Sequence, residues 1–469
     1  MTMVLREPHS IADDPSTQRA RDFPNDLPAM VELAGGLAPA VPLDVAATQM
    51  ERQVLLDLAL KAAYTVPRFN TGWAAGLLHL TLPVTGELLE QLRAEHLLEV
   101  LGRAGPLGYS YAITQRGRER AGRLMEVCGY VGPAPVSLIA YTALTEWQLA
   151  CLLPPTAAEV AEALAELVLS PTAAEVAGLA AASSRSLFVF GAPGNGKTTI
   201  GRLLHNALSG DVWIPHAIAV DHSVIRLYDA QVHQPVDSSP PCGIDARWVR
   251  VHRPLVVLGG ETTLETFDLT YSPSLHYYEA PLHMKANGGT LLIDDLGRQK
   301  VEPHRLLNRW IIPLEHQFDY LTFRTGQKIQ VPVRQLMVVA TNLDPATVTD
   351  PAFLRRIGYR LALEAPTPQR YLEIFRRYAA RVGLTVRPEL LEWLLAHYRT
   401  QHRELRCCEP RDLIERVRDI CHFRKQSPRL DEEHLSLAWT GYFGDAEPKA
   451  VARTPSGLPP TDYTLPRRE

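Results

Sequence analysis

Phe190-Gly191-Ala192-Pro193-Gly194-Asn195-Gly196-Lys197-Thr198-Thr199 is the stretch on which the reading of this chain turns. It fits G-x-x-x-x-G-K-[ST], a loop whose glycines let successive backbone N–H groups close around phosphate oxygens. In that pattern Lys197 reaches the β/γ-phosphates and the Thr198 hydroxyl ligates Mg²⁺. The expected nucleotide-binding residues are Gly191, Ala192, Pro193, Gly194, Asn195, Gly196, Lys197, Thr198 and Thr199. The flanks suit the motif. Ser186-Leu187-Phe188-Val189-Phe190 reads as a short buried strand, and Thr199 to Leu208 reads as a helix whose positive end faces the anion. A glycine-rich turn without a ligand is the competing reading, and the strand–loop–helix context argues against it. Bound ATP with Mg²⁺ is the expectation.

Working outward, Gly288-Gly289-Thr290-Leu291-Leu292-Ile293-Asp294-Asp295-Leu296-Gly297 places two carboxylates at the end of an apolar run. A parallel strand buried on both faces reads this way, and ligands bind at the C-terminal ends of such strands. Asp294 suits the acid that holds Mg²⁺, and Asp295 suits the neighbour that orients or activates the attacking water. A third run, Leu336-Met337-Val338-Val339-Ala340-Thr341-Asn342, again ends on a polar residue. Asn342 is placed to hydrogen-bond the γ-phosphate or that water.

With these motifs the chain from Ser183 to Phe443 resembles the AAA+ ATPase family. Gly191–Thr198 matches its Walker A motif, Leu291–Asp295 its Walker B motif, and Asn342 its sensor 1. The resemblance implies that Arg356, or Arg355, in Asp350-Pro351-Ala352-Phe353-Leu354-Arg355-Arg356-Ile357 reaches the nucleotide of a neighbouring subunit. It also implies that Arg411, in Glu409-Pro410-Arg411-Asp412-Leu413, is sensor 2. An arginine acting in trans implies a homo-oligomer, a head-to-tail ring, with six subunits as the family expectation. The chain departs from the family at Asp295, where most members have Glu. Its L-L-I-D-D-L-G phrase is similar to that of helicase-loader and transposition-helper AAA+ proteins, which often act as slow switches.

The fold class expected is α/β: a P-loop AAA+ core, with a parallel sheet flanked by helices, an α-helical lid and an N-terminal winged helix-turn-helix domain. The expected divisions are an arm without order over 1–45, the winged-helix domain over 46–130 and a helical connector over 131–182. The ATPase core follows over 183–365 with an insert at 221–287, then the lid over 366–445 and a flexible tail over 446–469. The winged helix rests on helices near Met50–Ala63, Gly72–Leu80 and Gly86–Ala94, then a ribbon turning at Gly102–Gly108, and on the similarity of Tyr111-Ala112-Ile113-Thr114-Gln115-Arg116-Gly117-Arg118 to wing-closing phrases of that family. The connector repeats Pro-Thr-Ala-Ala-Glu-Val-Ala at 155–161 and 171–177, two helix starts rather than a solenoid.

Between the Walker A and Walker B motifs, Trp213–Val220 is expected to be the second strand of the sheet and Arg247–Gly260 a β-hairpin arm. Short helical pieces are expected over Thr262–Leu269 and Tyr277–Ala286. That arrangement is similar to MoxR-type and enhancer-binding AAA+ proteins, where such inserts engage substrate. Trp248, Arg250 and Arg253 are candidates for nucleic-acid contact, and a hairpin packed on its own subunit is the alternative. A later hairpin is expected over Phe318–Val333.

Net charge is −4 over 469 residues, so no global field draws the chain to nucleic acid or an anionic membrane. Six scattered cysteines without C-x-x-C spacing make neither a disulfide framework nor a metal site. With no signal core and no long apolar run, a cytoplasmic protein without membrane contact is expected. The leading function is an oligomeric ATPase that remodels a protein or protein–DNA partner recruited by the winged helix and the insert. The alternative is a nucleotide-gated DNA-binding regulator or helicase-loader-like switch with slow hydrolysis. Only Gln91 and Arg93 on the Gly86–Ala94 helix suit major-groove readout, against Glu87 and Glu90, which favours a protein partner over DNA.

Overall fold

The computed structural model describes residues 26–33, 36–103, 109–237, 242–348 and 351–444. The start of the arm (1–25), the ribbon tip (104–108), Asp350 and the tail lie outside the described residues. The chain divides into two compact units, Met1–Glu364 and Ala365–Glu469.

The first unit is α/β and is organised around a five-stranded parallel sheet. Its spatial order is Leu255–Leu258, Thr290–Leu296, Leu336–Thr341, Leu187–Phe190 and Tyr359–Ala362. The three inner strands are nearly continuous apolar runs because both of their faces are covered. Strand alternation sends Leu187 and Val189 to one face and Phe188 to the other. On the first face Leu292 and Val338 join them against Ile200 and Leu204 of the helix Lys197–Asn206. On the second, Phe188 meets Ile293 and Val339, covered by Phe267, Leu306, Trp310 and Phe353. Each fully buried Leu, Val, Ile or Phe contributes roughly 1.5–3 kcal/mol. The first helix lies so close that a Cβ on Gly201 would come within 2.8 Å of Leu292 Cδ1. That seating fixes where the preceding loop sits.

Several expectations for the chain between the Walker A and Walker B motifs are corrected. Trp213–Val220 is not the second strand of the sheet. Asp211–Pro215 pairs antiparallel with Trp248–His252, whereas Ala217–Val220 pairs with Ser223–Arg226 and Val136–Ser137 in a different, mixed sheet. The chain changes sheets just after Pro215, which has no N–H to continue a ladder. Nor is Arg247–Gly260 a hairpin. Pro254 interrupts it, and the all-apolar Leu255–Leu258 joins the edge of the central sheet beside Thr290–Ile293, with Val256 and Leu258 buried on one face and Leu255 and Val257 half-buried on the other. The expected insert at 221–287 is therefore divided by a strand of the sheet itself. Within it, Leu264–Phe267 is a 3₁₀ turn, Tyr277–Glu279 is a strand and Leu282–Lys285 a single helical turn after Pro281. Phe318–Thr322 and Lys328–Pro332 form an antiparallel hairpin.

Ahead of the sheet, helices Arg52–Tyr64, Thr71–Leu78, Leu82–Ala94 and Gln115–Val127 accompany an antiparallel sheet of Phe69–Asn70, Tyr109–Ile113 and Leu98–Arg103. Asn70, Thr81 and Thr114 each cap a following helix with a side-chain oxygen. The core of these elements includes Leu56, Leu88 and Leu92, and it takes in Ala217 of the strand Ala217–Val220 and Val224 and Tyr277 of the insert. The second half of the expected arm is ordered: Met30–Leu33 and Gly36–Pro39 pair, and Val41 N–H donates to Gly243 O at 3.0 Å. Aperiodic residues gain order there by pairing with chain distant in sequence. Helices Ala157–Ala163 and Pro171–Ala182 begin at the two repeats, the first through a Thr156/Glu159 capping box.

The second unit holds the helices Pro368–Arg381, Pro388–Thr400, Glu409–Phe423 and Glu432–Phe443. Their core includes Tyr371, Phe375, Leu394, Leu413 and Trp439.

Candidate nucleotide site

The loop after Leu187–Phe190 turns on three glycines at positive φ, Gly191 at +138°, Gly194 at +83° and Gly196 at +88°. A Cβ on Gly191 would stand 2.2 Å from Leu363 O, so the loop presses on the chain leaving the edge strand. Asn195, 5% exposed, donates its Nδ2–H to the same carbonyl at 3.4 Å. No side chain caps the helix Lys197–Asn206, which leaves its first-turn N–H groups directed at the loop's hollow. Lys197 Nζ donates to two carbonyls of the loop itself, Gly191 O at 3.0 Å and Ala192 O at 2.8 Å. Burial pulls its pKa down, against the opposing pull of Asp295 and Asp294.

The acid-tipped strand Thr290–Leu296 lies two places from the P-loop strand, with Leu336–Thr341 between them. Parallel register brings all three C-terminal ends to one edge. Thr198 Oγ1 there donates to Asp294 Oδ1 at 2.6 Å, across 96 positions of sequence. Asp295, its side chain 45% exposed, stands at the open edge. Asn342 Nδ2 is 3.5 Å from Asp295 Oδ1, and Asn342 Oδ1 is buried without a hydrogen-bond partner. The Thr198 hydroxyl and the Asp294 carboxylate are hard oxygen donors side by side, a set that fits Mg²⁺ when phosphate oxygens and water supply the other ligands. Among the described residues no group of three or more His, Cys, Asp and Glu could hold a metal unaided.

The structure thus brings Lys197, Thr198, Asp294, Asp295 and Asn342 together. It does not bring Arg355 and Arg356 to them. Both end the helix Pro351–Arg356 and line a cavity of about 880 Å³ with Ser186 and Leu336, at the N-terminal ends of the strands. Arg356 Nε donates to Glu315 Oε2 at 2.6 Å, and this partner holds the Glu315 carboxyl below its usual range. Arg411 belongs to the second unit, near the start of Glu409–Phe423, where it is paired with Asp412.

Sequence reasoning missed Gln299, which donates to Asp294 O and accepts from Gly297 N, both at 2.8 Å. The only signal was its place two residues beyond the glycine that ends the acidic motif. The nucleic-acid candidates in the insert are also corrected. Trp248 is buried in the core, Arg250 is paired with Asp211 at 2.9 Å, and Arg253 donates to the carbonyls of Gly288 and Ser209. All three are spent on packing within the chain.

A family model described as "Domain of unknown function (DUF8689)" matches residues 367–441. No curated protein matches the chain. Among solved structures, the chain is similar to the RuvB Holliday junction branch migration motor of Thermotoga maritima, at 14% identity over 58% of this chain and 70% of that one, with a TM-score of 0.34. A mutant of the same protein is matched at 14% identity over 60% and 72%, with a TM-score of 0.36. NtrX from Brucella abortus in complex with ADP is matched at 14% identity over 67% of this chain and 62% of that one, with a TM-score of 0.38. Among the described residues no helix is long and apolar enough to cross a membrane.

Proposed function

We propose that the chain is a Mg²⁺-dependent, AAA+-type ATP hydrolase that works as a head-to-tail oligomer, a ring, in the cytoplasm. The observation that carries the reading is the 2.6 Å contact from Thr198 to Asp294, which joins the phosphate loop to the acidic strand at one edge of the sheet. Phosphoryl transfer asks the protein for positioning and positive charge rather than covalent chemistry. Bound between Thr198 and Asp294, Mg²⁺ would neutralise charge on the β- and γ-phosphates. Loop amides and the uncapped helix end hold the phosphates, and Lys197 leaves the Gly191 and Ala192 carbonyls for them. Asn342 and Asp295 orient water in line with the γ-phosphorus. The water oxygen bonds to phosphorus, the bond from phosphorus to the β–γ bridging oxygen breaks, and Asp295 takes the water proton. The products are ADP and inorganic phosphate.

The resemblance gives Arg356, or Arg355, the role of reaching the nucleotide of a neighbouring subunit, and their place at the far ends of the strands from their own loop is compatible with it. For Arg411 the resemblance alone supplies a role, that of an arginine sensing the nucleotide. The helices and ribbon over 46–130 are read as a winged helix that recruits a protein partner. Its best groove-reading side chains are already engaged, Arg93 by Glu90 at 2.8 Å and Gln91 by Arg52 and Glu95. One observation favours the slower, switch-like alternative: Asp295 is a methylene shorter than the family's Glu.

ATPase rate measured against protein concentration tests this. A specific activity that climbs with concentration and vanishes in Lys197→Ala and Arg356→Ala is expected. A rate near zero at every concentration, with ATP still bound, would leave only the switch.

A further inference from the structure

The strand Thr290–Leu296 does not finish as a regular strand. Residues Thr290 to Ile293 pair one to one with Leu336 to Val339, but the next pair is Leu296 with Thr341. Asp294 and Asp295 together oppose Ala340 alone, which is a β-bulge. In a regular strand successive side chains point to opposite faces, so only one of the two acids could serve the nucleotide edge. The bulge frees both. Asp294 turns to Thr198, while Asp295, at φ +48°, presents its carboxylate beside Asn342 and within electrostatic reach of Lys197.

A left-handed Asp persists only where its surroundings hold it. Asp295 N–H donates to Asp294 Oδ1 at 3.0 Å, and Arg298 N–H donates to Asp295 O at 3.0 Å. The Arg298 guanidinium is 3.7 Å from Asp295 and 70% exposed, too wet and too long to hold it. Gln299 is different. Its amide closes the turn from both sides, donating to Asp294 O and accepting from Gly297 N, each at 2.8 Å, so it spans the bulged residue.

We infer that Gln299 is a positioning residue for ATP hydrolysis, holding the bulge so that the shorter acid Asp295 meets the attacking water where a longer side chain would otherwise be needed. This rests on the ATPase reading above. The test is steady-state hydrolysis by full-length Gln299→Met, which matches the shape but removes both hydrogen bonds, and Gln299→Glu, which keeps the acceptor and loses the donor. Either variant should lower kcat about 10- to 100-fold, the usual cost of losing a group that orients a reacting residue. KM and the affinity for a fluorescent ATP analogue should stay at the parent values. On an Asp295→Asn background, single-turnover rates should change less than about twofold on adding Gln299→Met, because the two act as one unit. An undiminished kcat in both Gln299 variants, a loss of analogue binding, or an equal further loss on the Asp295→Asn background would overturn the role of Gln299. Full activity in Asp295→Asn alone would instead overturn the assignment of Asp295, and with it the inference built on it.

Discussion

Gly191→Ala tests whether the phosphate loop is held as described. A Cβ at this position would lie 2.2 Å from Leu363 O, and ordinary contact begins at 3.4 Å, so loop and edge chain must separate by roughly an ångström. Leu363 is poorly able to yield. Its N–H donates to Phe190 O at 2.8 Å and its carbonyl accepts from Asn195. The φ of +138° costs an alanine about 1–3 kcal/mol, and each buried hydrogen bond lost adds about 1 kcal/mol. The total, about 2–5 kcal/mol, is smaller than the usual 5–15 kcal/mol of a folded domain, so the variant should fold but melt earlier. Function should suffer more than stability, because an ångström of misplacement at a site that works by positioning costs about a hundredfold. Urea unfolding gives the first quantity, and ATPase rate at saturating ATP gives the second. Gly76→Ala, where nothing lies within 4 Å of the added Cβ, is the control and should be neutral or stabilising by about 1 kcal/mol. Parent-like stability and rate in Gly191→Ala would refute the close approach and the strained turn together.

Asp295→Asn should bind ATP as the parent does yet hydrolyse it about 10²–10⁴-fold more slowly, as read by rapid-quench single turnovers; parent-like turnover would remove Asp295 from the chemistry. Asp319, buried against Arg309 at 2.6 Å and beside His283, should cost about 3 kcal/mol as Asn, since the Arg309 guanidinium then keeps only the exposed Asp268, at 3.7 Å, as a counter-charge; a urea midpoint unchanged from the parent would contradict this. Burial holds His205, His216 and His233 down at about 4. Because these folded-state values lie below the unfolded value near 6.5, the unfolded chain binds more protons between pH 6.5 and 4. Stability should therefore fall as pH is lowered through that window, by up to about 1.4 kcal/mol per pH unit for each histidine, and a flat urea midpoint across it would count against their burial.

What the amino-acid sequence determined by itself was whatever is local. A phosphate loop needs its glycines, lysine and threonine in one short run, since neighbouring backbone amides build the cradle; Gly191 to Thr198 could be read without a fold. Apolar runs tipped with Asp294, Asp295 and Asn342 were legible for the same reason. Tertiary structure alone decided which strands are neighbours. Leu255–Leu258 rather than Trp213–Val220 lies beside the acidic strand, and nothing within either segment states its partner, because ladder hydrogen bonds are the same for every sequence and apolar faces suit many neighbours. The bulge at Asp294 and Asp295 was hidden likewise, since a bulge is a mismatch in the pairing of two strands, and neither strand's sequence states the register. So was the clasp of Gln299, an ordinary polar residue in the sequence until the turn around Asp295 puts both of its amide atoms to use.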